Sequence, residues 1–348
     1  TAADIRQDED VLDTWFSSGL FPFSVLKWPD TEHPDFKQFF PNSILETGHD
    51  ILFFWVARMV MMSLWLTDKL PFKTVYLHPI VCDKDGEKMS KSKGNVIDPL
   101  EVIEGTPLDK LLQKLKDGNL PKNELEKSLK KKELDFPEGI PECGSDALRF
   151  GLLSYMIQSG SVNLDILVIK GYRQFCNKIW NTFIFGYKQF STVKEYHEGN
   201  YSPAKCSFLN SWILGKLDKA INGVNSTYGK YEFGQATKIF HNFWLYELCD
   251  IYIEATKPVF SGTNEDLKKE TSHTLFQCIE TGLRLLHPMM PFITEELYQK
   301  LPQYKDKRES ISVHSYPIGL EQLFKNPSLP ELFARNDKDF QSITDVIL

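Results

Sequence analysis

The sequence predicts a mixed fold, with an α/β region over residues 1–160 followed by an all-α helix bundle over residues 161–348. Three observations predict it. Before about residue 160, short apolar runs alternate with turn signals, as in a region that mixes strands and helices. From about residue 165 the hydrophobic period is helical almost throughout. The helical segments there are long and parted only by short Gly, Pro, Ser and Asn breaks, which makes them antiparallel neighbours in a bundle.

In chain order, ILFFWVARMVMMSLWL (Ile51 to Leu66) is the most apolar run. It is shorter than a membrane span requires and carries Arg58 at its middle, so the expectation is a buried core helix and no membrane. TVYLHPIVCD (Thr74 to Asp83) is β-rich and ends in a DKDG turn, where Gly86 supplies a positive φ. Residues 104–139, containing EKSLKKKELD, read as a partly helical surface insertion carrying solvated charge. GSDALRFGLLSYM opens a helix with Ser145 or Asp146 as its N-cap. Four long amphipathic segments follow, at 166–190, 206–228, 231–255 and 267–288, with a shorter fifth in HPMMPFITEELYQKL. The aromatic stripe Phe175, Trp180, Phe183 and Phe185 is expected in the core.

Composition narrows the class. A chain of 348 residues holds two domains of ordinary size. With a formal net charge of -7 and a pI near 5.7, it has no sequence-wide basic coat for nucleic acid, although a local patch is compatible with those figures. Six cysteines are scattered without CxxC spacing, which fits reduced thiols better than a disulfide framework or a zinc site. No signal-peptide pattern opens the sequence. These features give the expectation of a cytoplasmic protein without a protein-held metal.

Two stretches carry chemistry. GEKMSKSKGN (Gly86 to Asn95) gathers Lys88, Lys91 and Lys93 between glycines. If it is not merely a solvated turn, such a loop closes over phosphate oxygens, because ammonium groups are point-charge partners for them and small flanking residues let the backbone move. No Walker loop is present. ETGHDILFFW places Glu46, Gly48 and Asp50 in a turn entering the apolar helix. Asp50 reads either as the N-cap or as a ribose contact beside the space that Gly48 leaves. Ile51 and Trp55 share a helix face, and with Trp15 they form an apolar wall suited to a branched aliphatic side chain.

DVLDTWFSSGLFPFS, ETGHDILFFWVARM, KMSKSKGNVIDPLEVI, FPEGIPECGSDALRF and GYRQFCNKIWN together resemble the valine-specific class I aminoacyl-tRNA synthetases, in their eukaryotic cytosolic form. The similarity runs from about Asp10 to at least Leu301. KMSKS at Lys88 to Ser92 is class-wide, whereas DTWFSSGL and TGHDILFFW are narrower. The resemblance implies the second half of a split Rossmann-like α/β catalytic domain followed by an anticodon-binding helix bundle. It implies activation of valine with ATP and Mg²⁺ and transfer to tRNA(Val), with Lys91 and Lys88 stabilising the departing pyrophosphate. Glu46, Gly48, Asp50, His78, Val81, Met89 and Ser90 fall where the family holds ATP. Trp15, Ile51 and Trp55 fall on the valine pocket, and Arg173, Asn177 and Lys178 are candidates for tRNA contact.

Two departures stand out. Lys93 occupies a position that is usually apolar, and the family's His-x-Gly-His signature is absent, Gly48-His49 being preceded by Glu46-Thr47. The expectation is therefore a fragment, inactive alone, that works with the remainder of a synthetase chain. Its alternatives are a non-catalytic tRNA-binding module and an isoleucine or leucine ligase.

Overall fold

The computed structural model describes residues 6–157, 160–190, 201–304 and 306–347. The chain forms two compact units, one of residues 1–82 with 158–162 and one of residues 83–157 with 163–348.

The first unit is built round a β–helix–β crossover. Strands β1 (Asn42–Gly48) and β2 (Phe72–His78) pair in parallel, with Asn42 opposite Phe72 and Gly48 opposite His78. Parallel neighbours need a long connection. Here it is a continuous helical rod: a 3-10 turn at His49–Ile51, a wider π-type turn at Leu52–Val56, then α3 (Ala57–Thr67). Asp68, in the left-handed conformation, ends the rod by donating its N–H to the Leu64 carbonyl. Val56 and Met59 bury themselves with Phe72 of β2. Helices α1 (Thr14–Ser24) and α2 (Pro34–Phe39) contribute a second small core of Phe23, Phe36 and Phe40. A short strand β3 (Ile80–Cys82) pairs with β4 (Ser161–Asn163).

Two expectations are corrected here. The apolar rod is not a buried core helix: only 17% of its 18-residue window is buried, Trp65 is 87% exposed and Phe53 80%. The 19 residues His49–Thr67 are also long and apolar enough to cross a membrane by length and composition, against the length argument made from the sequence. The rod sets one face against β1, β2 and α1, while Phe53, Met61 and Trp65 stay exposed. Glu46 and Gly48 do not lie in a turn either. They end β1, because pairing with β2 holds the backbone extended to Gly48.

The second unit begins with α4 (Pro99–Glu104), whose Asp98 and Glu101 form a capping box, then α5 (Leu108–Lys116) and α6 (Lys122–Asp135). Helix α7 (Ser145–Ser154) leads to α8 (Ile166–Gln189) and α9 (Phe208–Gly229). Helix α10 (Phe233–Asn242) continues through a π-type stretch at Phe243–Ile253 into α11 (Glu254–Ser261). Helix α12 (Glu265–Leu286) is buried on nearly every side from Thr271 to Leu286, so it is the central rod of the bundle. Helices α13 (Pro291–Lys300), α14 (Leu320–Phe324) and α15 (Leu329–Ile347) complete the unit, the last of them not anticipated from the sequence. One continuous core runs through it, including Trp212, Phe240, Trp244, Tyr252 and Leu283.

The aromatic stripe divides. Phe175 and Phe183 are buried and Phe185 packs on the core, but Trp180 is 38% exposed. The N-cap of α7 is neither Ser145 nor Asp146 but Gly144, at φ 81. Asp146 instead accepts the N–H groups of Phe292 (3.3 Å) and Ile293 (2.6 Å), capping the first turn of α13. A carboxylate at a helix start satisfies orphan donors wherever it comes from in sequence. All six cysteines are free thiols.

Candidate functional site

The candidate residues fall in both units. In the first, the carboxyl ends of β1 and β2 present Glu46, Gly48 and His78 side by side, the edge at which parallel α/β sheets receive ligands. His78 Nε2 lies 3.2 Å from Glu46 Oε1, and its Nδ1 lies 2.9 Å from the Pro79 carbonyl oxygen. Burial first, and the Glu46 charge second, raise the neighbouring Tyr76 hydroxyl above its ordinary pKa. Asp50 is not the N-cap, since that place belongs to Gly48 and no side chain caps the turn. The Asp50 carboxylate folds back instead: a Cβ on Gly48 would sit 2.7 Å from its Oδ1 and 3.0 Å from Ile80. Any larger residue there would have to displace the Asp50 carboxylate and the Ile80 methyl. Val81 is exposed on β3.

Trp15, Ile51 and Trp55 come together as the sequence suggests. They line one open depression with Ser18 and Phe21. Trp55 is held in place by its indole N–H, which donates to the Ser18 carbonyl at 3.3 Å. Trp15 lies under the Arg58 guanidinium, 5.5 Å from its ring centroid, and 6.3 Å from the Phe54 ring. Sequence reasoning missed Ser18 and Phe21. Their positions three and six residues after Trp15 on an amphipathic helix were the available signal.

In the second unit, Lys88 and Lys91 are exposed, Ser90 is half-buried, and Met89 anchors its apolar side chain against the core. Lys91 begins a 3-10 turn to Lys93 that ends at Gly94, φ 64. The loop is pinned from beneath. Asp83 Oδ1 accepts the N–H groups of Asp85 (3.1 Å) and Glu87 (2.9 Å). Asn95 donates from Nδ2 to Asp83 Oδ2 at 3.1 Å and accepts the Ser90 N–H at 3.0 Å. Burial alone would raise the Asp83 carboxyl, but hydrogen bonds from Lys131, Asn95 and the Glu87 N–H bring its pKa down to about 2. These supports were not singled out from the sequence, because Lys131 lies 48 residues from Asp83.

That contact corrects the reading of 104–139 as purely solvated charge. Helix α6 turns Ser128, Lys131 and Lys132 inward. Lys132 is 7% exposed, with its ammonium over the Phe136 ring, and burial lowers its pKa.

Of the RNA-facing candidates, Arg173 and Asn177 line one cleft of about 1110 Å³ with Trp180, Glu295 and Glu296. Lys178 is not among its lining residues and pairs with Asp250 at 3.5 Å. Among the described residues no group of three or more His, Cys, Asp or Glu side chains is arranged to hold a metal.

Comparison with known proteins places the chain. The family described as tRNA synthetases class I (I, L, M and V) matches residues 1–165, and the anticodon-binding domain of tRNA ligase matches residues 210–347. The mitochondrial valine–tRNA ligase 1 of Arabidopsis thaliana is 51% identical over 91% of this chain and 29% of its own length. The valine–tRNA ligase of Mus musculus is 50% identical over 93% of this chain and 26% of its own length. The chain thus spans less than a third of either relative. Among solved structures, Agrobacterium radiobacter K84 LeuRS in a ternary complex with tRNA and LeuAMS shares the fold at TM-score 0.60 and 18% identity, over 91% of this chain and 34% of that one. Mycobacterium tuberculosis methionyl-tRNA synthetase in complex with methionyl-adenylate gives 0.54 and 19%, over 86% and 53%. The chain belongs to the class I tRNA synthetases and is a homologue of the valine–tRNA ligases.

Proposed function

We propose that this chain supplies part of the catalytic region and the RNA-binding bundle of a valine–tRNA ligase, dividing near residue 160. The full protein joins valine to ATP as valyl-adenylate and passes it to tRNA(Val). The observation that carries the reading is the KMSKS loop, fixed from below with Lys88 and Lys91 left exposed.

In this reading no protein nucleophile is needed. A valine carboxylate oxygen bonds to the α-phosphorus while the bond to pyrophosphate breaks. Lys91, assisted by Lys88, neutralises charge on the departing group, so catalysis is positioning and electrostatic stabilisation. In the first unit Glu46, Asp50, His78 and Val81 are assigned to the nucleoside beside the bare Gly48 backbone; in the second, Met89 and Ser90 belong to the ATP-binding loop. Trp15, Ile51 and Trp55 exclude side chains larger than valine. An Mg²⁺ ion would accompany the ATP phosphates.

The homologues favour valine over isoleucine and leucine. The apolar rod is read as a crossover helix and not a membrane span, because it joins two parallel strands and packs Val56 and Met59 on one of them. The free cysteines support a cytoplasmic setting.

ATP–pyrophosphate exchange by the full-length protein tests the reading. Valine is expected to support exchange and leucine not, and Lys91→Ala to slow it by roughly two orders of magnitude with the KM for valine little changed. A rate within a few-fold of the parent reduces the loop to a surface turn. For the RNA half, Arg173→Glu is expected to weaken tRNA binding and flatten its salt dependence, and Lys178→Glu to do less. Equal effects would remove the cleft from the interface.

A further inference from the structure

We propose that α6 is a positioning element for the KMSKS loop, with Ser128 and Lys131 as positioning residues that set where Lys91 stands. The inference rests on the reading of that loop given above and extends it to residues that touch no substrate.

Five observations converge on one side of the loop. The Ser128 hydroxyl donates to the Lys93 carbonyl at 2.9 Å, fixing the end of the 3-10 turn that Lys91 begins. Lys131 Nζ reaches Asp83 Oδ2 at 2.9 Å and Asp85 Oδ2 at 2.6 Å, fixing the turn that enters the loop. The same Asp83 carboxylate holds Asn95, and Asn95 holds the Ser90 N–H, so the hold of Lys131 extends to the residue before Lys91. Gly94 is fitted to this approach: a Cβ there would meet Leu120 and Ser128 Oγ at 2.8 Å, and φ is 64. Lys84 with Asp135 at the end of α6 adds an ion pair to the same seam.

The physical consequence is preorganisation. A loop that gathers three lysines within six residues repels itself and samples many positions. Tying both ends to a 14-residue helix removes that freedom before substrate arrives. A charge-assisted pair whose carboxylate is nearly buried is screened little by salt. Asp83 is 5% exposed. The lysine-rich stretch is therefore part of the machinery that places Lys91, not only a solvated surface.

Full-length protein with Lys131→Met, Ser128→Ala and Lys131→Arg is compared with the parent and with Lys91→Ala. ATP–pyrophosphate exchange gives kcat and KM, and limited trypsin digestion reports cleavage at Lys88, Lys91 and Lys93. Lys131→Met is expected to lower kcat on the order of tenfold with KM for valine unchanged, and to speed loop cleavage. Lys131→Arg is expected to recover most of both, and Ser128→Ala to give a smaller effect of the same kind. Ser128→Ala leaves the ion pairs intact and serves if Lys131→Met does not fold. If Lys91→Ala slows exchange while both α6 variants keep the parental kcat, the proposal is overturned. A silent Lys91→Ala is a separate result, since it removes the reading of the loop and the proposal with it.

Discussion

Helices α3 and α6 invert what their compositions suggest. The first, with the π-type turn before it, is the most apolar stretch of the chain, yet Trp65, Phe53 and Met61 stand 87%, 80% and 69% exposed. The second is more than one-third lysine, and it buries Lys132 and seats Lys131 between two aspartates. Composition states what environment a segment can tolerate. Whether it finds that environment depends on the neighbours. The unit around α3 has two small cores of three buried residues each, too little to cover a 19-residue apolar rod. The unit around α6 offers carboxylates and an aromatic ring at the places where its lysines arrive.

The sharpest way to break the comparison is to truncate an apolar side chain in each unit. Leu283, fully buried on α12, is expected to cost about 2–5 kcal/mol when changed to alanine. Trp65→Ala on α3 is expected to stay within about 0.5 kcal/mol in the isolated chain, although a tryptophan in a core would cost far more. Chemical denaturation of each variant checks both. A Trp65 loss of several kcal/mol would mean that the exposed face is covered by another surface.

A smaller effect sharpens the other half. Lys132→Met removes a buried ammonium whose described contact is a phenyl ring, and is expected to stabilise by on the order of 1 kcal/mol at neutral pH. Burial lowers its pKa in the folded state, so between that value and 10.5 the unfolded chain binds more protons. Stability of the parent therefore rises with pH through that window, and the advantage of Lys132→Met shrinks. An advantage that grows with pH would contradict the assignment. The smallest effect is expected at Lys127, exposed and paired with Glu124 at 3.0 Å: its replacement by methionine should change stability by less than about 0.5 kcal/mol.

Much of the fold was legible. The long amphipathic segments are α8 to α12, because a 3.6-residue apolar period has only one regular backbone that gathers it on one face. The Gly86 turn was legible for a local reason, its φ of 84 being easy only for glycine. The apolar wall of Trp15, Ile51 and Trp55 was partly legible: the helix spacing joined two of its members, but the third lies 36 residues before Ile51. Helix α15 carried its amphipathic pattern in a polar stretch that gave weaker contrast.

What the sequence determined by itself is whatever depends on near neighbours along the chain. Helical period, turn glycines, the capping box at Asp98 and the chemical identity of the KMSKS loop are of that kind. What only the tertiary structure decided is partnership over distance. Asp146 caps α13 and not its own helix, Lys131 reaches back to Asp83, and Arg173 faces a cleft that does not include Lys178 among its lining residues. A carboxylate or an ammonium takes the partner that geometry brings to it, and its charge is the same in every candidate fold. The sequence therefore names the groups, and only packing selects which of them meet.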